Sequence, residues 1–425
     1  MSLKKHIRII GGGLCGCLTA YHIAVRYPGY YVELVETSDH LISAFDPISL
    51  DGHALNNGFH GIELPRADAF YSFIIDELEL DFTQKANSRL LFIKNNLVPF
   101  VAPLSEWPID LQKEFLVKPP FESNSIEDFW SVLSEEYKGL LKVIGARYSH
   151  NVQDILGLLI PWFLPADYVL NSGDEGDLFR NNVRNNSILP MYGHPTGHVF
   201  DVLQDAMLAK LETLGVKIHL STSVVFNADG FEFCSLGNVE NSLKVEADYT
   251  FFCASSSIII KEIDSTIYNK LTEKPRYLYN GLLEVTNPVE TTPFSEIICA
   301  DAVCPAIARI SAPDEFGYSI DHKGKYLQVE LFIQPSEDVN KLRAELPSHI
   351  SRILGLRQPN TIKLLEMKLT RFVFQPKKED LALAEVAIDS WVRNQSTNLA
   401  IQYNFGPINM AKAWKKSIEF AEIVQ

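Results

Sequence analysis

Near the amino terminus, short apolar runs alternate with a helical period, and the boundaries between them carry turn residues. Arg8-Ile9-Ile10 reads as a strand, Gly11-Gly12-Gly13-Leu14-Cys15-Gly16 as a turn, and Leu18, Ala20, Tyr21, Ile23, Ala24 and Val25 as a helix. After Tyr27-Pro28-Gly29, a second strand, Tyr31-Val32-Glu33-Leu34-Val35, ends on Glu36. Farther along, the pattern predicts a helix from Val199 to Leu214, a strand over 216–225, a strand over 247–254, and an apolar helical stretch from Trp130 to Trp162. Leu399-Ala400-Ile401-Gln402-Tyr403 predicts a closing strand, Asn404-Phe405-Gly406-Pro407 a turn, and Ile408-Asn409-Met410 the start of a helix running toward Val424. Strands alternating with helices predict an α/β chain built on a Rossmann-like parallel sheet with helices on both faces.

The first unit has the spacing of a dinucleotide-binding turn, G-x-G-x-x-G between strand and helix. Gly11 permits the tight turn, Gly13 lets the main chain approach a diphosphate, and Gly16 lets helix and strand pack closely. Leu14 and Cys15 follow Gly13 at the helix start, where unpaired N–H groups face an anion. Glu36, about 20 residues past the last glycine, is placed to accept hydrogen bonds from an adenosine ribose, and its charge would repel a 2′-phosphate. FAD or NAD is therefore expected over NADP. A thiolate at Cys15 or Cys17 would be stabilised by the helix end, although small-residue packing is the commoner reason for cysteine there.

Length and charge narrow the partners. A chain of 425 residues exceeds one compact core, and a net charge of −15 argues against nucleic acid. No apolar run reaches the ~18 to 20 residues of a transmembrane segment, and Met1-Ser2-Leu3-Lys4-Lys5 leads straight into a strand, so a cytoplasmic protein is expected. The six cysteines have no C-x-x-C spacing. Asn171-Ser172-Gly173-Asp174-Glu175-Gly176-Asp177 reads as an exposed loop that lacks the terminal Glu of a calcium site, so no metal is expected. The oligomeric state is left open.

Several stretches match more than a generic dinucleotide fold. Asn56-Asn57-Gly58-Phe59-His60-Gly61-Ile62-Glu63-Leu64 precedes a helix from about Arg66 to Leu78, and Leu91 to Phe100 forms a hairpin pattern with a short polar turn and a proline. Ser125-Ile126-Glu127-Asp128-Phe129-Trp130 follows, then Tyr192-Gly193-His194-Pro195-Thr196-Gly197-His198 before the predicted helix, and Ala247-Asp248 opening the later strand. In this order they resemble the flavoprotein group that contains the amine oxidases, protoporphyrinogen oxidase and UDP-galactopyranose mutase. The resemblance implies FAD, and a discontinuous FAD-binding domain (1–65, 190–260 and 385–425) with an inserted mixed α+β substrate domain (66–189 and 261–384). It implies backbone contact with the adenine at Val224, and flavin contacts at Gly406, Asn409 and Met410, where a helix start would favour negative charge on a reduced ring. It places His60 near the isoalloxazine and Arg309, in Pro305-Ala306-Ile307-Ala308-Arg309-Ile310, on a strand facing the substrate cavity.

Two positions depart from the group's pattern. The arginine and paired glycines after the ribose acid are replaced by Thr37 to Phe45, and the Gly-Asp of the last strand by Gln402-Tyr403. The activity implied is hydride transfer from a small organic substrate to flavin N5. The alternatives are a sugar-nucleotide mutase working on reduced flavin and a non-catalytic binding protein on the same scaffold, like the GDP-dissociation inhibitors.

Overall fold

A computed structural model describes residues 5–58, 61–64, 66–86, 88–99, 102–118, 120–145, 164–170, 191–197, 199–227, 230–235, 247–273, 275–286, 294–300, 303–313, 325–356, 361–374, 376–394, 398–402 and 410–424. Strand β1 (His6–Ile10) runs into helix α1 (Leu14–Arg26), and β2 (Tyr31–Val35) returns parallel to β1 with His6 opposite Tyr31 and Ile10 opposite Val35. The helix stops at Tyr27 because Pro28 disfavours the α region for the residue before it; Tyr27 sits at φ −130°, ψ 67°. Both strands are buried through four consecutive residues, as a sheet covered on both faces requires.

Five parallel strands form this sheet in the order Lys217–His219, β2, β1, Tyr249–Phe252, Asn398–Ile401. One face carries α1, Val202–Thr213 and Met410–Ile423, joined in a core that includes Ile7, Ile9, Leu18, Ile23, Leu203, Met207 and Phe420. The other carries Ser256–Ile263, Ser265–Thr272 and Lys378–Arg393, packed on Ile10, Val35, Phe252 and Ile401. Burying an aliphatic side chain of this kind contributes about 2 kcal/mol. Packing therefore brings residues up to 272, and from 378 on, to the dinucleotide-type half.

The sequence pattern over 216–225 gives two strands, not one. The chain leaves the parallel sheet after His219, turns at Ser221 with φ +50°, and enters a separate hairpin, Thr222–Asn227 with Gly230–Ser235. The amide of Thr222 is drawn to Glu36 O at 2.9 Å, and that of Ser221 to Ser38 O at 2.8 Å. The helix expected after Arg66 is Asp68–Ser72 continued by a π-helical turn, Phe73–Glu77. The hairpin expected over 91–100 is present as Arg89–Ile93 and Asn96–Pro99. The stretches 146–163 and 171–177 lie outside the described residues.

The second half is a seven-stranded mixed sheet, ordered Ile362–Phe374, Pro275–Val285, Lys325–Ile333, Ile307–Ser311, Glu296–Ala300, Arg89–Ile93, Asn96–Pro99. Helix Val339–Ile353 covers one face, capped by the Asp338 carboxylate, which accepts from the Asn340 and Lys341 amides at 2.9 and 3.1 Å. The other face turns partly to a helical cluster around Phe129, Tyr137 and Leu141, and partly to the parallel-sheet half. No helix among the described residues is long and apolar enough to cross a membrane.

Where α1 meets the last helix, His22 packs edge-on to Trp414 and Tyr21, at centroid distances of 4.6 and 5.2 Å. Burial lowers its pKa to about 4, below the ~6.5 expected of an unfolded chain. Its contribution is thus complete above about pH 6.5 and lost as pH falls toward about 4, because protonation then favours the unfolded chain. The urea midpoint should fall more between pH 7 and pH 5 in the parent than in His22→Phe. Equal slopes in the two proteins would contradict the assignment.

Candidate dinucleotide and substrate site

The carboxyl ends of the parallel strands converge on the glycine turn. Gly11 has φ +103°, a value glycine adopts without penalty, and its amide donates to Val35 O at 2.8 Å. A Cβ on Gly16 would stand 1.8 Å from Gly11 O, so only glycine allows the helix to start this close to the strand end. Gly13 is different. It caps α1 in extended conformation (φ −67°, ψ 175°), and a Cβ there would meet nothing within 4 Å. With no side-chain cap and no acidic residue in the first turn, the α1 amides face this open space with their positive dipole end.

Glu36 lies against the same turn. Its Oε2 accepts the Gly12 amide at 2.5 Å and its Oε1 the Ser38 amide at 2.8 Å. A carboxylate has about four lone-pair directions, so these two bonds orient it and leave acceptor capacity for hydroxyls.

On the opposite side of the helix start, Gln402 ends the last strand. Its amide N–H donates to Phe252 O at 2.9 Å, and its carbonyl accepts from Ser256 Oγ at 3.1 Å. Gln402 is 3% exposed, and among the described residues its side-chain nitrogen and oxygen have no hydrogen-bond partner beyond a weak contact with the Cys15 thiol. Such a group costs stability unless something satisfies it. It neighbours Cys15, whose thiol pKa is lowered first by Cys253, against burial, with Thr19, Lys416 and Gln402 adding to the shift. The turn thus joins a donating helix N-terminus, an accepting carboxylate and a buried amide able to do both.

A second polar region lies at the seam between the halves. Loop 56–58 crosses onto the seven-stranded sheet: Gln328 Nε2 donates to Asn56 O at 2.8 Å, and Asn280 Nδ2 to Asn57 Oδ1 at 3.2 Å. A Cβ on Gly58 would stand 3.2 Å from Glu330 Oε1. Beside them, Arg309 pairs with Glu330 Oε2 at 3.0 Å and reaches Glu296 Oε2 at 3.5 Å. Glu296, fully buried, also holds Arg89, which donates to the Tyr192 hydroxyl at 2.7 Å. Burial raises the Tyr192 pKa and keeps the phenol neutral.

Gly11, Gly13, Leu14, Cys15, Gly16 and Glu36 therefore meet at one turn. Val224 lies two residues past Thr222, whose amide bonds Glu36 O, in the hairpin that leaves that turn. Met410 begins the helix that packs along α1. His60, Gly406 and Asn409 lie outside the described residues. Sequence reasoning missed Arg89, Glu296, Glu330, Asn280 and Gln328; the available signal was a single polar residue on one face of an otherwise apolar strand, as in Glu296-Ile297-Ile298-Cys299-Ala300.

Residues 9–74 match the family model of the NAD(P)-binding Rossmann-like domain. Over the whole chain, a structure assigned as a protoporphyrinogen oxidase from Exiguobacterium superposes with a TM-score of 0.66 at 12% identity, covering 100% of this chain and 99% of that one. A reduced UDP-galactopyranose mutase gives 0.67 at 13% identity, with 99% and 95% covered. The chain shares the fold of both structures over nearly its whole length. A putrescine oxidase variant with a redesigned cofactor site superposes with a TM-score of 0.55 at 12% identity, with 99% and 98% covered. No curated protein sequence matches the chain.

Proposed function

We propose that the chain binds FAD and oxidises a small organic substrate. The observation that carries this reading is the open α1 terminus at Gly13, flanked by the oriented Glu36 carboxylate and the unsatisfied Gln402 amide. The Gly11–Gly16 amides would hold the diphosphate, Glu36 the ribose, and Gln402 together with Gly406, Asn409 and Met410 the flavin side. When bound, the flavin supplies a hydride acceptor at N5. The protein's own part is to orient, to exclude water at the seam, and to set charge there; His60 and Arg309 are the candidates for contact with the reacting molecule. The intact glycine turn and Glu36 speak against the non-catalytic binding-protein alternative. The mutase alternative is favoured by the Arg309 strand and the Asn409-Met410 helix start and opposed by the missing C-terminal arginine; the charge of Arg309 is already compensated by Glu330 and Glu296.

The purified protein should be yellow, or become so after FAD addition and gel filtration. Glu36→Ala should weaken FAD binding about 10- to 100-fold, the effect of losing hydrogen bonds to a charged group. A folded protein that stays colourless with saturating FAD would remove the proposal.

A further inference from the structure

On the seam-facing side of the seven-stranded sheet, charge alternates from strand to strand. Arg89 faces Glu296, Glu296 and Glu330 share Arg309, and Arg371 stands at the far end of the row, past the neutral Asn280. The register explains the sequence of signs: Arg89 pairs with Glu296, Arg309 with Glu330, Glu330 with Asn280, and Leu278, two residues before Asn280, with Arg371. Two carboxylates thus serve three guanidiniums, and Arg371 is the surplus. Lys368 with Glu366 on the same strand, and Arg66 with Glu63 beside Arg89, each contribute one charge of each sign and leave the count unchanged.

Among the described residues, no acceptor lies within hydrogen-bonding or ion-pairing distance of the Arg371 guanidinium. The side chain is exposed, yet loss of water around it lowers its pKa, with Glu330 opposing and Arg309 adding to the fall. Arg371 is thus an accessible cation near Arg309 and Glu330.

We propose that Arg371 anchors a monocarboxylate group of the substrate at the seam. The planar guanidinium fork matches a carboxylate in two parallel hydrogen bonds. One surplus cation balances one negative charge; a diphosphate would bring at least two, next to Glu330. The proposal rests on the reading that the seam is where substrate meets cofactor, and it names the class of substrate.

The test is calorimetric titration of the FAD-loaded protein with benzoate, and separately with inorganic pyrophosphate. Benzoate should bind saturably and more tightly than pyrophosphate. Arg371→Ala should lower benzoate affinity about tenfold or more, Arg371→Lys should recover part of it, and the melting temperature should stay unchanged because the residue is exposed. Absence of benzoate binding, equal affinity in Arg371→Ala, or tighter binding of pyrophosphate would each overturn the assignment. If the protein takes up no FAD, the cofactor reading fails by itself, and the same titration on the cofactor-free protein still decides whether Arg371 holds a carboxylate.

Discussion

Gly13→Val is expected to fold as the parent does and to bind FAD more than 100-fold more weakly. Its backbone angles, φ −67° and ψ 175°, are ones valine adopts freely, and beyond its own chain neighbours no described atom lies within 4 Å of the new Cβ. The added volume enters only the space in front of the α1 amides, where a diphosphate would sit. Stability should therefore stay within about 0.5 kcal/mol of the parent. Gly16→Ala is the contrasting control. There the Cβ meets Gly11 O at 1.8 Å, and relief requires the helix to back away from the strand, costing about 3 kcal/mol. Flavin content after gel filtration and urea midpoints read both effects. A Gly13→Val protein with parental flavin content would place the dinucleotide elsewhere.

Glu296→Ala should be the most damaging single change at the seam. The carboxylate is fully buried and held by Arg89, itself 3% exposed, with Arg309 behind it. Removing one member of a buried pair leaves the other charge without compensation, and such losses run to about 3–5 kcal/mol. Arg309→Gln should cost much less, since a quarter of its side chain reaches water. Chemical denaturation of the two variants should separate them clearly; equal, small losses would show that the buried pair contributes little.

The parts legible in the sequence are those whose cause is local. A glycine turn between a five-residue strand and a helix is dictated by steric limits within a few residues, and Glu36 follows from the length of one strand–helix–strand unit. The hairpin at 89–99 likewise announces itself through a short polar turn between apolar runs. The break at Ser221 gave no such sign, because neither glycine nor proline marks it; the chain turns there to meet Glu36 and Ser38, residues more than 180 positions earlier. The charged row was hidden for the same reason. Glu296 becomes Arg89's partner only because sheet order sets two strands, 207 residues apart, side by side. Gln402 stood out in the sequence as a departure from the family's pattern, and the structure gives it a chemical meaning: an amide with unmet hydrogen-bonding capacity beside the turn.

The edge strand Asn398–Ile401 and the helix Met410–Ile423 complete layers that β1 and α1 begin. A chain emerging from the ribosome thus holds its glycine turn ready early, yet lacks one wall of that compartment until residues 398–424 are made. Ile10, Phe252 and Ala24 stay without this cover until then. Deleting residues 398–424 should accordingly leave a translation product that chaperones retain, whatever the quality of its amino-terminal half.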